Sequence, residues 1–140
     1  MEISLLGNIA QYLHIVSRGI VKPMKSIMLG FGTGPEAINM RPLVNELKAR
    51  ENIKTVVCVT GQHRQMPDMV QDAFHVEQDY ALSIMKAGQP LFDITTNILG
   101  GIGGILDEVK PDVVLVHGDI STTFVTALAC FYKQIPVGHV

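Results

Sequence analysis

Asp119 is the only acid in the turn His117-Gly118-Asp119-Ile120-Ser121-Thr122-Thr123, which directly follows the aliphatic run Val113 to Val116. A carboxylate there could exchange a proton with a bound substrate, with His117 close by as a candidate base. A second polar turn holds Gly32-x-Gly34-x-x-Ala37, the weaker form of the dinucleotide fingerprint, in which helix-terminal amides receive a phosphate. A third, Gly61-Gln62-His63-Arg64, offers side chains suited to an anion. Each has a plainer reading. Asp119 suits a helix N-cap, the glycines suit a turn with only a folding role, and His63 and Arg64 suit a solvated loop. Thr60, Gly61 and Gln62 stand where the fingerprint needs an acid for a ribose hydroxyl, which argues against a nicotinamide or flavin site. No Ser/His/Asp or Cys/His arrangement is legible, and without metal-ligand spacing no structural metal site is expected.

These turns need strands and helices to hold them. Hydrophobic patterning predicts short buried strands at Lys25 to Leu29, Thr55 to Val59, Asp112 to Val116 and Pro136 to Val140, with an edge strand at Asp79 to Ile84. Between them it predicts helices from Pro35 to about Arg50, from about Gln65 to Phe74, from Leu91 to Val109 and from Ile120 to Tyr132. Thr33 or Gly34 would cap the first, with Ile38, Leu43, Val44 and Leu47 facing inward and Pro42 giving a kink or a short separate first turn. The Leu91–Val109 helix carries Gly100, Gly101, Gly103 and Gly104, together costing about 2–4 kcal/mol against alanine.

Strands alternating with helices give an α/β fold, a doubly wound parallel sheet of order 3-2-1-4-5. The winding reverses between the first and fourth strands, so the loops Gly32–Glu36 and His117–Thr122 should flank one crevice at the carboxyl edge of the sheet. That is where open α/β sheets place their ligands. Gly34 and Asp119 are therefore expected on the same edge.

The 140 residues make one domain, and the 47% apolar content supports a real core. A net charge of −2 argues against charge-driven binding to nucleic acid. Cys58 and Cys130 lack C-x-x-C spacing and read as buried, reduced thiols of a cytoplasmic protein. Residues 1–23 are apolar but interrupted, with Glu2 where a signal peptide needs a basic residue. They read as an extension, either a peripheral amphipathic helix or upstream sequence from a misplaced start, and not as a membrane span. Residues 24–140 form the folded domain.

Phe31-Gly32-Thr33-x-Pro35-Glu36-Ala37-Ile38, Val59-Thr60-Gly61-Gln62-His63-Arg64, Val113 to Asp119 and Ile135-Pro136-Val137-Gly138-His139-Val140 carry a resemblance. Together they resemble the non-hydrolysing UDP-N-acetylglucosamine 2-epimerases, from about Lys25 to Val140. The resemblance implies a Rossmann-like amino-terminal half of a two-domain fold like that of glycosyltransferase type B, with the carboxyl-terminal UDP-binding domain lacking here. It implies a cytoplasmic isomerase that interconverts UDP-N-acetylglucosamine and UDP-N-acetylmannosamine for cell-envelope polysaccharide. The route is elimination of UDP to a 2-acetamidoglucal and re-addition, with no metal or redox cofactor, in a homodimer.

Carried over by position, Asp119 matches the family's active-site aspartate, and Gly34, Asn39 and His117 fall at substrate-binding places. Gln62 and Gln65 match positions that hold a second UDP-N-acetylglucosamine as activator in some bacterial members. Departures accompany these matches. The family's arginine is Gly34 here, removing a bidentate phosphate ligand, and its lysine is Asn39. Its glutamate after His-Val would be residue 141, and Pro67 and the four helix glycines replace ordinary helix formers. An amino-terminal epimerase fragment, inactive alone, is the leading expectation. A non-catalytic module pairing with a complete subunit, or a self-sufficient nucleotide-binding protein, are the alternatives.

Overall fold

A computed structural model describes residues 24–32, 34–61, 78–82, 84 and 88–140. The expected helix over 65–74, the loop residues Gln62, His63, Arg64 and Gln65, Pro67, and the segment 1–23 lie outside the described residues. So does Thr33, one of the two residues expected to cap the first helix.

Five strands form one parallel sheet: β1 (Lys25–Phe31), β2 (Ile53–Val59), β3 (Tyr80–Ala81), β4 (Val113–Val116) and β5 (Val137–His139). Their spatial order is β3-β2-β1-β4-β5, the order expected from sequence. β1 pairs with β2 from Lys25–Ile53 to Phe31–Val59, and with β4 from Ile27–Val113 to Gly30–Val116. Alternate residues of the strands enter two cores. Leu29, Phe31, Val57 and Val59 pack on α1 (Gly34–Lys48). Met28, Val56, Cys58, Val114 and Val116 pack on α2 (Leu91–Val109) and α3 (Ser121–Tyr132). Period-two alternation in the strands thus feeds helices on both faces, as a doubly wound sheet requires.

Two aspartates extend the ladder beyond the strands. Asp79 gives its amide to the Val57 carbonyl at 3.0 Å, and its Oδ2 accepts the Val57 amide at 2.7 Å. Asp112 repeats the device one strand over, with its amide on the Ser26 carbonyl and its Oδ2 accepting the Ser26 amide, both at 2.8 Å. A backbone donor in each of β1 and β2 is thereby satisfied just before its neighbour's first residue.

Three expectations about the helices change. α1 runs unbroken through Pro42. Pro42 lies on the exposed side, where water can reach the Ile38 carbonyl that lacks its usual donor. The buried stripe of α1 is Ala37, Met40, Val44 and Leu47, with Leu43 partly covered, while Ile38 is 61% exposed. It lies about 100° round the helix from Ala37, outside the stripe. Gly34 is the first residue of α1 and not its cap.

The glycines of α2 are all helical, but not equivalent. Gly100, Gly103 and Gly104 have nothing within 4 Å of where a β-carbon would stand. A β-carbon at Gly101 would lie 2.9 Å from Leu82 Cδ1, so that residue lets the chain after β3 close onto α2. Gly104→Ala and Gly100→Ala should each add about 0.5–1 kcal/mol, read as a thermal midpoint raised by a few degrees. Gly101→Ala should give less than either, or lower the midpoint. Equal gains at all three positions would contradict the Leu82 contact.

Candidate functional site

β1, β2 and β4 end together at the carboxyl edge of the sheet, and three turns leave from there. The Thr60 amide bonds to the Phe31 carbonyl at 3.1 Å, holding the first two turns side by side. Thr60 and Thr122 are both buried, and their hydroxyls share a hydrogen bond of 2.8 Å that ties the β2 end to the start of α3. Gly32 makes room for this. A β-carbon there would lie 2.5 Å from Thr122 Oγ1 and 3.1 Å from Ile120 Cδ1. Gly32 therefore serves close packing between the β1 turn and α3.

The turn after β4 is braced from both sides. Asn39, on α1, places Nδ2 3.2 Å from His117 Nε2. An amide nitrogen only donates, so Nε2 accepts, and the ring proton sits on Nδ1, 2.6 Å from the Val140 carbonyl. Thr123 Oγ1 donates to the His117 carbonyl at 2.7 Å, and His139 Nε2 donates to the Gly118 carbonyl at 2.8 Å. Gly118 has φ +88°, a conformation that side chains rarely adopt. Asp119 then projects as an exposed carboxylate with no hydrogen-bond partner among the described residues.

The sequence-derived candidates thus meet in part. Asn39 and His117 are hydrogen-bonded across the crevice, although 78 positions apart. Gly34 opens α1 on the same side, with open space where a side chain would stand. Asp119 follows Gly118, which packs on Glu36 of α1, so the loops after β1 and β4 do share one crevice. The plainer reading of Asp119 as helix cap does not hold. The cap of α3 is Ile120, with no side-chain cap bond. Gln62 and Gln65 lie outside the described residues.

Glu36 was missed as a site residue. It is buried, and its Oε2 accepts the Gly32 amide at 2.8 Å. The spacing Thr33-x-x-Glu36 is that of a capping box, a signal that could have found it. Among the described residues no group of three His, Cys, Asp or Glu could hold a metal ion, and no helix is long and apolar enough to cross a membrane.

The family profile described as UDP-N-acetylglucosamine 2-epimerase matches residues 45–140. The chain belongs to the UDP-N-acetylglucosamine 2-epimerase family. It is 55% identical to the UDP-N-acetylglucosamine 2-epimerase of Bacillus subtilis over 114 residues, 81% of this chain and 30% of that protein. It superposes on the Neisseria meningitidis UDP-GlcNAc 2-epimerase bound to UDP-GlcNAc with TM-score 0.77 and 50% identity, covering 82% of this chain and 31% of that one. The Methanocaldococcus jannaschii UDP-GlcNAc 2-epimerase, solved with UDP-GlcNAc and UDP, gives TM-score 0.75 at 29% identity over 82% of this chain and 32% of that one. This member of the family spans just under a third of the length of the curated relatives it matches.

Neither thiol of this epimerase-family chain belongs to the crevice chemistry. Burial pushes Cys58 up to about 12 and Cys130 up to about 11. Both should resist alkylation in the native state and react on unfolding. The unfolded chain ionises its thiols near pH 9 while the folded one keeps them protonated, so their contribution is intact below that pH and lost as pH rises toward 11–12. A Cys58→Ala, Cys130→Ala variant should lose less stability than the parent between pH 9 and 11 in thermal melts.

The Thr60–Thr122 bond gives a second expectation. Thr60→Val strands the Thr122 hydroxyl in the core and should cost about 1–3 kcal/mol, as should Thr122→Val. The double variant leaves no stranded group and should cost clearly less than the sum, measured by denaturant unfolding.

Proposed function

We propose that this chain is the substrate-facing amino-terminal part of an epimerase acting on UDP-N-acetylglucosamine, with Asp119 as proton-transferring carboxylate. The observation that carries this reading is the shared crevice. Gly34 and Asn39 of α1 and His117 and Asp119 of the turn after β4 are distant in the chain, yet flank the switch point of the sheet, in a family whose members include structures with UDP-GlcNAc bound. Elimination removes the proton on the sugar's second carbon and expels UDP, leaving a 2-acetamidoglucal. Re-addition returns UDP to the first carbon and a proton to the second from the opposite face. A carboxylate with no other partner among the described residues is suited to moving that proton. A leaving diphosphate needs positive charge beside it.

That charge is what the crevice lacks at two positions. The family resemblance places an arginine where Gly34 stands and a lysine where Asn39 stands. Glycine gives the diphosphate no charge, and Asn39 donates its amide to His117 instead. Loss of one transition-state donor typically costs about 10²–10³-fold in rate. We therefore read the 140-residue chain as inactive by itself. The same two residues favour the second reading, a non-catalytic module that pairs with a complete subunit. In that case the exposed Phe92, Phe124 and Phe131 are side chains a second subunit would cover.

The test follows deuterium entering the second carbon of the sugar in heavy water. It compares this chain, this chain joined to the remainder of a related epimerase, and the joined protein carrying Gly34→Arg and Asn39→Lys. Open space at Gly34 and the exposed position of Asn39 allow both side chains to be accommodated. Exchange should rise at least about a hundredfold from the second protein to the third. Exchange by the chain alone would overturn the reading that it is catalytically incomplete. No exchange by the third would reject Asp119 as an epimerase carboxylate.

A further inference from the structure

We propose that Glu36 is a positioning residue: its carboxylate couples the start of α1 to the Gly118–Asp119 turn and so sets where Asp119 stands in the crevice. The proposal rests on the reading of Asp119 above and extends it to a residue that would not itself touch the sugar.

Glu36 is only 6% exposed. Burying a carboxylate is costly unless donors meet it, and its Oε2 takes the Gly32 amide at 2.8 Å. That bond alone would make a local helix cap. The other edge of the same carboxylate goes further. Gly118 lies directly against it: a β-carbon at 118 would stand 3.1 Å from Glu36 Cδ, and nearer still to Oε1. The position is thus closed to a side chain twice over, by φ +88° and by Glu36.

Glu36 and Asn39 are one turn apart on α1 and therefore share a face. Asn39 meets the His117 ring, and Glu36 meets Gly118, so consecutive residues of the turn abut consecutive turns of one helix. On the other side, His139 holds the Gly118 carbonyl. The turn is clamped between α1 and the β5 end. Asp119 has no partner of its own among the described residues, so its placement is inherited from the backbone at Gly118. Moving Glu36 should move Asp119.

The experiment uses the ¹⁵N-labelled chain and reads backbone amide shifts and amide hydrogen exchange. Glu36→Gln keeps the reach of the side chain and one acceptor oxygen, whereas Glu36→Asp withdraws the carboxylate by one methylene. Glu36→Asp should displace the Gly118 and Asp119 resonances as well as Gly32, and speed Gly32 amide exchange about tenfold or more. Glu36→Gln should leave Gly118 and Asp119 close to the parent. The reciprocal variant Gly118→Ala should speed exchange at Gly32, 86 positions away, while Gly104→Ala should not.

Shifts in Glu36→Asp confined to residues 31–39 would overturn the proposal, leaving Glu36 as a local cap. So would unchanged exchange at Gly32 in a folded Gly118→Ala. If Gly118→Ala does not fold, the Asp and Gln variants decide alone. None of these measurements needs turnover. Failure of the restored joined protein to exchange deuterium rejects the epimerase reading with the coupling intact, and confined shifts reject the coupling with that reading intact.

Discussion

β1 is hydrogen-bonded along both of its edges, over seven positions to β2 and four to β4. The chain builds outward from β1 on one side through β2 and β3, then returns to build through β4 and β5 on the other. Because α1 covers one face and α2 and α3 the other, the connections leaving β1 and β4 depart to opposite faces. Their divergence opens the crevice. No side chain creates it; it follows from where the winding changes direction.

What keeps the crevice narrow is the closeness of α3 and α1 to that central edge. Gly30 and Gly32 lie two apart on one face of the chain, opposite Thr126 and Thr122, which lie four apart on one face of α3. The missing β-carbons let the helix settle on β1, and the Thr60–Thr122 bond closes the approach. Thr126 is buried with its hydroxyl unpartnered among the described residues, so its part in this contact is its shape. On the opposite side, Glu36 and Asn39 bring α1 against the turn that ends in Asp119. The polar groups of the crevice are largely engaged with one another, which makes it a fixed frame.

Such a frame separates architecture from charge. The sheet, its turns and the exposed Asp119 side chain stand with glycine at 34 and asparagine at 39. Gly34 does not hold up the fold, whereas Asn39 braces the turn after β4 through His117. Gly34 touches nothing where a side chain would stand, and Asn39 is exposed on α1. Charge at position 34 is free to vary without disturbing the scaffold, so fold and chemistry need not travel together.

The sequence by itself determined the fold. Val113–Val116 and Thr55 to Val59 read as doubly covered strands, and Ile94, Ile98, Ile102, Ile105 and Leu106 repeat at a helix's period. From such alternation the strand order, and hence the shared edge of Gly34 and Asp119, could be read before any coordinates. Local propensity misled where tertiary context outweighed it: Pro42 does not break α1, and Ile38 faces outward because the sheet meets Ala37, Met40 and Val44 instead. Only the tertiary structure decided that Asp119 is not a cap, that Gly32 serves packing, that Gly101 serves Leu82, and that Glu36 reaches Gly118. Each depends on the distance between residues far apart in the chain. Periodicity fixes which face a side chain takes, but leaves unstated how near the next element comes.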